Sequence, residues 1–354
     1  MVRADASSQK GSGHVMRCLA LAGHLRPHVS DVHFVCRQLQ GEMHQLIEQR
    51  GFRCSLIPVD EATRSENSEI GTCAASTFNQ SDDARQTTSQ TDTVDWLIVD
   101  NYEIDRHWER AMRPVCRRLL VIDDLANRPH DCDILLDQTF GREVDQIRSL
   151  VAKACTVLTG SDYALLGPEF AAHRTAALAR RKQCDGIRDV LVSMGGSDLS
   201  NMTVKALRAL AAITDSERLA VTVVAGPQYA HSDASLIAVA SIFEKLDVKH
   251  NVSNMAELMA ASDLAIGTAG TTSWERCCLG LPALVYVSAD NQREVARGLE
   301  AAGAIQQWRS AAELQEQLED IMNDASLYQS AVAAASGICD GLGVERVVSA
   351  MRSC

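Results

Sequence analysis

A histidine at the start of a predicted helix is the first residue of this sequence that suggests chemistry. His14 follows a turn that contains Gly11 and Gly13, and it opens an apolar helical pattern. The free N–H groups at a helix start favour a neutral imidazole, which can accept a proton as a general base. The same turn could instead bind a phosphate, or the histidine could only cap or pack the helix.

A second glycine turn, "SMGGSD", lies between an apolar run and a helical pattern in the second half of the chain. Gly195, Gly196 and Ser197 would offer backbone N–H groups to a phosphate at this position. The turn is not a GxGxxG motif, and it is not a P-loop because no GK[ST] follows. Its context, rather than a motif, indicates anion binding.

A third turn, "GTAGTTSWE", also joins an apolar run to a helix, and Glu275 falls in the first turn of that helix. A carboxylate there interacts favourably with the helix dipole, which is its structural interpretation. The functional interpretation is that Glu275 accepts hydrogen bonds from the two hydroxyls of a ribose. Asn291 and Gln292, which follow the next apolar run, are placed to reach the same site.

Acidic residues open or close the apolar runs of the first half, where turns and caps are their simplest role. These residues are Asp5, Asp100, Asp123, Asp124, Asp131, Asp133 and Asp137. Their spacing is not typical of a closed metal site, and we expect no metal and no cofactor. Tyr102 follows the run at 95–100, a position that favours contact with a ligand. The lack of a Gly-x-Ser-x-Gly elbow disfavours an acyl-transfer hydrolase.

The candidate site residues lie between short apolar runs and helical patterns, and the elements that these predict determine their positions. Runs at 32–36, 95–100, 118–124 and 132–137 predict buried strands, and strands and helices alternate again from 188 onward. This alternation predicts an α/β fold of two Rossmann-like domains, with parallel sheets facing across a ligand-binding cleft. The expected domains are 1–165 and 166–335, joined within 161–174, and the last helix of 336–354 should pack on the first domain.

Composition limits the classes of protein to which the chain can belong. Its 354 residues are 46% hydrophobic, and the formal net charge of −12 disfavours a non-specific nucleic-acid surface. Neither a membrane-spanning run nor a signal peptide is visible, and the scattered cysteines are typical of reduced thiols. We therefore expect a cytoplasmic monomer with a small-molecule substrate. The polar segment 61–93 breaks the pattern and is expected to be either a lid or a tolerated insertion, with a helix near 82–90.

Six sequence blocks in order resemble the nucleotide-sugar hydrolases of pseudaminic acid biosynthesis. The blocks are "RADASSQKGSGHVMRCLALA", "DWLIVDNYEID", "VIDDLANRPHDCDILLDQ", "YALLGPEFA", "VLVSMGGSD" and "GTAGTTSWERCCLGLP". This family is similar to the UDP-GlcNAc transferase of peptidoglycan synthesis and shares its GT-B architecture. In the family the first strand has several apolar residues before the Arg-x-Asp, whereas only Met1 and Val2 precede Arg3 here. The first strand is therefore expected to be short, or the true start to lie upstream.

The resemblance implies that water attacks the anomeric carbon of UDP-2,4-diacetamido-2,4,6-trideoxy-β-L-altropyranose with inversion, without a metal. His14 matches the catalytic base, and Asp5 matches a residue that would bond His14 or a substrate hydroxyl. Tyr102 and Asn291 match positions near the sugar, and Glu275 matches a ribose-binding carboxylate. The diphosphate turns correspond to Gly195, Gly196, Ser197, Gly270, Thr271 and Thr272.

Two other functions fit the same sequence pattern. A GT-B glycosyltransferase would use the same UDP-sugar site and a base at the same position, with an acceptor hydroxyl in place of water. A nucleotide-sugar sensor would bind the ligand without chemistry. The absence of a clear basic or apolar membrane-facing patch favours hydrolysis over transfer to a lipid acceptor.

Overall fold

A computed structural model describes residues 1–8, 10–59, 78–226, 229 and 231–354 of the chain. The chain divides into two compact units. Unit 1 comprises Met1–Leu165 together with Val344–Cys354, and unit 2 comprises Leu166–Gly343. The second boundary therefore falls after Gly343 and not after residue 335.

Unit 1 is built on a seven-stranded parallel sheet with the order β3-β2-β1-β4-β5-β6-β7. The strands are β1 Val2–Ala4, β2 His33–Arg37, β3 Arg53–Ile57, β4 Val94–Asp100, β5 Cys116–Ile122, β6 Ile134–Asp137 and β7 Thr156–Thr159. Strand β1 has three residues, yet it lies between β2 and β4 and pairs with both. The first strand is therefore central in the sheet.

Helices cover both faces of this sheet. They are α1 Gly13–Leu25, α2 His44–Gln49, α3 Gln80–Thr88, α4 Arg106–Met112 and α5 Val144–Ile147, together with the C-terminal helix Gly343–Ser353. The C-terminal helix buries Val344, Val347 and Met351 against the same core as α1. Ile98 of β4 faces that core, while its neighbours Leu97 and Val99 face a second core on the side of α4.

Unit 2 repeats this architecture with a six-stranded parallel sheet in the order β10-β9-β8-β11-β12-β13. Its strands are β8 Asp189–Ser193, β9 Ala220–Ala225, β10 Lys245–His250, β11 Leu264–Thr268, β12 Ala283–Tyr286 and β13 Ile305–Gln307. Its helices are α6 Pro168–Lys182, α7 Met202–Ala211, α8 Ala234–Ile237, α9 Met255–Ala261, α10 Thr272–Cys278, α11 Arg293–Ala301, α12 Ala311–Asn323 and α13 Ala325–Ser336. The predicted α/β class with two parallel sheets is confirmed.

Each sheet contains one point at which the strand order changes direction. In unit 1 the chain moves outward from β1 to β2 and later returns to place β4 on the other side of β1. In unit 2 the equivalent neighbours are β8 and β11. Ligands of open α/β sheets bind at the carboxyl ends of the strands beside such a point.

The structure describes only the second part of the polar segment 61–93. Residues 60–77, on which most of the lid prediction rests, lie outside the described residues. Helix α3 falls close to the predicted 82–90, and its Asp83 is 2% exposed beneath the sheet. This part of the segment is therefore built into the fold of unit 1.

Two further observations concern the described residues only. Every cysteine among them is free. None of their helices is both long enough and apolar enough to span a membrane.

Candidate functional site

The glycine turn of unit 1 follows β1 and places His14 at the carboxyl end of this strand. Ser7 and Gly11 bond each other across the loop, and Gly11 has a φ of +76°, a conformation that favours glycine. Helix α1 then begins at Gly13, so that His14 lies in its first turn. The imidazole Nδ1 is 2.6 Å from Oδ1 of Asp100, the last residue of the neighbouring strand β4. The predicted base thus has an acidic partner.

Asp100 is ionised although it is buried. Burial by itself would raise the pKa of its carboxyl, but Arg17 and His14 outweigh this effect and hold that pKa well below its usual range. Arg17 contributes two hydrogen bonds of 2.6 Å, one from Nε and one from Nη2. An ionised carboxylate can only accept hydrogen bonds, so the proton between His14 and Asp100 lies on Nδ1.

The second imidazole nitrogen of His14 is left without a partner in the described part of the chain. Nε2 of His14 has no hydrogen-bond partner among the described residues, and the side chain is 12% exposed. With Nδ1 protonated, the Nε2 of a neutral imidazole carries a lone pair and accepts a proton. The pair has the geometry of an oriented general base.

Tyr102 and Asp124 complete the surroundings of His14. The rings of Tyr102 and His14 meet edge to face, with centroids 4.5 Å apart. The Tyr102 hydroxyl donates to Asp124, whose other carboxylate oxygen accepts from Arg17 at 3.1 Å. Burial, with the Asp124 charge next, raises the pKa of Tyr102 above its usual range, so the phenol stays a neutral donor. We call His14, Arg17, Asp100, Tyr102 and Asp124 the histidine cluster.

Asp5 does not belong to the histidine cluster, and it does not bond His14, which was one of the two partners expected for it. Its carboxylate accepts from the Arg3 guanidinium at 2.5 and 3.0 Å, from the backbone of Arg37 and from the Asn101 side chain. Side chains alternate across the sheet along β1, so Asp5 lies with Arg3 on the α3 side, opposite the face that α1 covers. Asp100 takes the place that the sequence analysis gave to Asp5.

A buried histidine supports the loop that carries Asp124. His130 lies between Glu109, with Nδ1 2.6 Å from a carboxylate oxygen, and Asp123, with Nε2 3.2 Å away. Burial would lower the pKa of His130, but the hydrogen bonds to Asp123 and Glu109 raise it to about 9. The protonated imidazole therefore donates at both ends and fixes the loop after β5.

The stabilisation from His130 should disappear at alkaline pH. Because its pKa rises from 6.5 to about 9 on folding, the stabilisation is complete below pH 6.5 and is lost as the pH rises through 9. We expect the free energy of unfolding to fall by roughly 3 kcal/mol over this range, and His130→Gln to lack that fall. Urea denaturation at a series of pH values measures both proteins, and parallel pH profiles would refute the assignment.

In unit 2, the first turn leaves three backbone donors free. Gly195 has a φ of +86°, and the N–H groups of Gly195, Gly196 and Ser197 have no hydrogen-bond partner among the described residues. The following helix start is already occupied. Asp198 accepts from the backbone of Met202 and Thr203, so the turn, and not the N-terminus of α7, offers donors to an anion.

Gly226 is a part of this turn that the sequence analysis missed. A Cβ at Gly226 would lie 2.3 Å from the carbonyl oxygens of both Gly195 and Gly196. Only glycine permits this approach of the loop after β9. A lone glycine at a strand end is a common pattern, and its neighbour in space is not visible in the sequence.

The second turn of unit 2 follows β11, which pairs with β8 so that Gly267 lies beside Ser193. Thr272 begins α10, and Glu275 lies on its first turn. Glu275 is partly buried, has no hydrogen-bond partner among the described residues, and burial raises its pKa to about 7. The fold therefore brings both predicted turns and Glu275 to the carboxyl ends of two neighbouring strands.

The loop after β12 holds the last two predicted site residues. Asn291 is exposed and lies in a short 3-10 turn. The side chain of Gln292 accepts from the backbone of Ser288 at 3.0 Å. Gln292 therefore holds the loop together, whereas Asn291 is free of such a contact among the described residues.

The raised pKa of Glu275 gives a prediction about stability. The folded protein favours the neutral carboxyl, so its stabilisation is complete below pH 4.5 and is lost as the pH rises through about 7. We expect Glu275→Gln to melt at a higher temperature than the native protein at pH 8, with little difference at pH 5. Thermal denaturation at both pH values measures the effect, and an equal difference at the two would contradict the environment described for this carboxyl.

Comparisons with known proteins agree with this two-unit architecture. Residues 190–341 match the glycosyltransferase family 28 C-terminal domain. The structure of Acinetobacter baumannii MurG is similar, with a TM-score of 0.66 and 16% sequence identity. The match covers 100% of this chain and 99% of the MurG chain. The calicheamicin glycosyltransferase CalG4 is 12% identical with a TM-score of 0.66, over 99% of this chain and 97% of its own.

Two curated relatives are each 28% identical to the chain. Uncharacterized protein MJ1062 of Methanocaldococcus jannaschii matches over 82% of this chain and 56% of its own length. The UDP-2,4-diacetamido-2,4,6-trideoxy-beta-L-altropyranose hydrolase of Campylobacter jejuni matches over 58% of this chain and 63% of its own. The chain thus spans less than two thirds of either relative. It has the GT-B fold, and its second unit is similar to the family 28 C-terminal domain.

Proposed function

We propose that this protein is a nucleotide-sugar hydrolase of pseudaminic acid biosynthesis. It cleaves the anomeric C–O bond of UDP-2,4-diacetamido-2,4,6-trideoxy-β-L-altropyranose with inversion and releases UDP and the free sugar. The observation that carries the proposal is the His14–Asp100 pair, in which an ionised carboxylate fixes the tautomer and leaves Nε2 without a partner. The likeness to the Campylobacter jejuni enzyme supports the choice of substrate.

His14 acts as the general base of this reaction. Its Nε2 takes a proton from water as the oxygen bonds to the anomeric carbon, and the bond between that carbon and the UDP oxygen breaks. Asp100 stabilises the imidazolium that forms, and Arg17 holds Asp100 in place. The proton then passes from His14 to solvent. Tyr102 acts by packing against the imidazole, since its hydroxyl is bonded to Asp124.

Unit 2 holds the UDP group. The free N–H groups of Gly195, Gly196 and Ser197 bind the diphosphate, together with the turn from Gly270 to Thr272. The unpartnered carboxylate of Glu275 accepts from the ribose hydroxyls. Asn291 contacts the sugar. No step requires a metal ion or a cofactor.

A glycosyltransferase is the second candidate. The match of residues 190–341 to a glycosyltransferase C-terminal domain favours it, and an oriented base would serve an acceptor hydroxyl as well as water. The two functions differ in what happens to the UDP-sugar when no acceptor is present.

A ³¹P and ¹H NMR time course separates them. The UDP-sugar is incubated with the protein and EDTA in the absence of any acceptor. We expect UDP and the free sugar to appear, with the inverted anomer formed first. Bound but unconsumed UDP-sugar would favour the transferase, and a retained anomer would refute attack by water in a single inverting step.

A further inference from the structure

Arg276 is a buried cation of unit 2 that the proposed reaction leaves without a role. It is 3% exposed and lies inside α10. Side chains of a helix point toward its N-terminus, and the guanidinium accordingly lies at the start of α10. Its Nη2 donates to the Thr268 carbonyl at 2.7 Å and to the Ser273 hydroxyl at 3.1 Å, and Nη1 lies 3.5 Å from the Thr272 hydroxyl.

No carboxylate among the described residues forms an ion pair with Arg276. All three acceptors are neutral, and its Nε is unbonded. Burial lowers the pKa of Arg276, and the neighbouring Glu275, whose own pKa burial raises to about 7, is only partly ionised near pH 7. A buried charge without a partner is costly, so such charges are usually paired or serve a ligand.

Arg181 shows how a structural arginine is accommodated in the same unit. It is also fully buried and its Nε is likewise unbonded, but its Nη1 and Nη2 donate to the carbonyls of Met259, Ser262 and Leu279 at 2.6 to 2.9 Å. These carbonyls lie at the C-terminal ends of α9 and α10, where the helix dipole is negative. Arg276 lies at the opposite, positive end of α10, where the dipole opposes its charge.

The guanidinium of Arg276 lies where the two turns of unit 2 leave the sheet. A Cβ at Gly267 would be 2.8 Å from Nη1 of Arg276 and 2.6 Å from the carbonyl oxygen of Ser193. Gly267 and Ser193 are paired residues at the ends of β11 and β8. The unbonded N–H groups of Gly195, Gly196 and Ser197 follow directly after β8.

The hydroxyls beside Arg276 are oriented by it. Because the guanidinium donates to the Ser273 oxygen and lies against that of Thr272, both hydroxyl hydrogens must point away from it. Thr272 is only partly buried, so its hydroxyl is available to a ligand at the turn. Cation, hydroxyl and free N–H groups together make a site for an anion.

We infer that Arg276 is a positioning residue for a diphosphate: it supplies the positive charge of the site and orients the Thr272 hydroxyl toward the ligand. This inference rests on the proposed function, in which unit 2 holds UDP. It adds that the affinity for the diphosphate depends on the buried side chain of Arg276. The bound phosphates would provide the negative charge that the free protein lacks.

The test compares Arg276→Met, Arg276→Lys and the control Arg181→Met with the native protein. Calorimetry gives the affinities for UDP, pyrophosphate and uridine, and thermal denaturation gives the Tm of each free protein. We expect Arg276→Met to bind UDP and pyrophosphate about 10- to 100-fold more weakly, since charge-assisted contacts of this size are lost. Uridine affinity should not change, and Arg276→Lys should recover part of the loss.

The Tm distinguishes a ligand role from a structural one. Free Arg276→Met should melt no lower than the native protein, because an unpaired buried charge has been removed. Arg181→Met should melt lower but, below its Tm, bind UDP normally. Unchanged UDP and pyrophosphate affinity in Arg276→Met would overturn the inference, as would a fall in Tm with an equal loss of uridine binding.

If the native protein binds pyrophosphate but neither UDP nor uridine, the nucleotide part of the proposed function fails. Loss of pyrophosphate binding in Arg276→Met would then still support the role of Arg276.

Discussion

Replacing His14 by asparagine should lower kcat for UDP-sugar hydrolysis by about 100- to 10,000-fold, the usual contribution of a positioned general base. Asparagine can still bond Asp100, but it offers no nitrogen that accepts a proton. Because the proposed UDP contacts all come from unit 2, the dissociation constant for UDP should not change. Steady-state kinetics and calorimetry with UDP measure the two effects separately.

His24 provides a matched control for this variant. It lies in the last turn of the same helix, and its Nδ1 is 3.2 Å from the carbonyl oxygen of Ala20. His24→Asn should retain native kcat. Native turnover in His14→Asn would remove the base from the mechanism, and loss of both turnover and UDP binding would indicate a damaged fold instead.

Asp100→Asn should produce the second large effect, on both activity and stability. An amide at this position can present its NH₂ group to Nδ1 of His14, which moves the imidazole proton to Nε2 and removes the base. A comparable change of tautomer in serine proteases costs about 10⁴ in kcat. The variant also takes from the buried Arg17 the carboxylate that accepts two of its hydrogen bonds and leaves it only Asp124, a loss of roughly 3 kcal/mol.

Asp83 separates these two effects. Its buried carboxylate accepts from Arg3, Arg37 and Trp108, and none of these residues contacts His14. Asp83→Asn should lose stability of the same order and keep its kcat per folded molecule. Urea denaturation and kinetics at a temperature where both variants are folded make the comparison. Equal losses of kcat in the two variants would show that Asp100 acts only through stability.

The central strands could be predicted because they are buried on both faces. Strands β4, β5 and β11 are near-continuous apolar runs, which is typical of the middle of a parallel sheet. Strands β3 and β10 form the edges of their sheets and are only partly covered. They carry polar residues and give no such pattern, so the sequence analysis missed them.

The same distinction applies to the candidate site. His14 was predicted because the glycine turn and the helix start that position it are local in sequence. Its partner Asp100 was not predicted as such, because Asp100 comes close to the His14 turn only when β4 pairs with β1, which places Asp100 beside Ala4. Arg17 and Asp124 meet through the same long-range arrangement. Sequence spacing identified Asp100 and Asp124 only as residues at strand ends.

The fold also adds contacts at Tyr102 and after the first turn of unit 2 that the sequence analysis did not predict. Tyr102 was placed near the sugar, yet its hydroxyl is bonded to Asp124 and its ring packs against His14. The turn of Gly195, Gly196 and Ser197 was predicted to bind a phosphate, and it must do so without the start of α7, whose first N–H groups donate to Asp198. Tyr102 meets Asp124, which is distant in sequence, and Asp198 lies in a loop whose geometry no sequence motif indicates.

Hydrolysis of the UDP-sugar in H₂¹⁸O, followed by mass spectrometry of both products, tests the central claim most directly. Water that attacks the anomeric carbon leaves its oxygen on the sugar, so we expect one ¹⁸O in the free sugar and none in UDP. The labelled sugar should form without any acceptor and should not form with His14→Asn. Label in the β-phosphate of UDP, or no product without an acceptor, would contradict the proposed hydrolase.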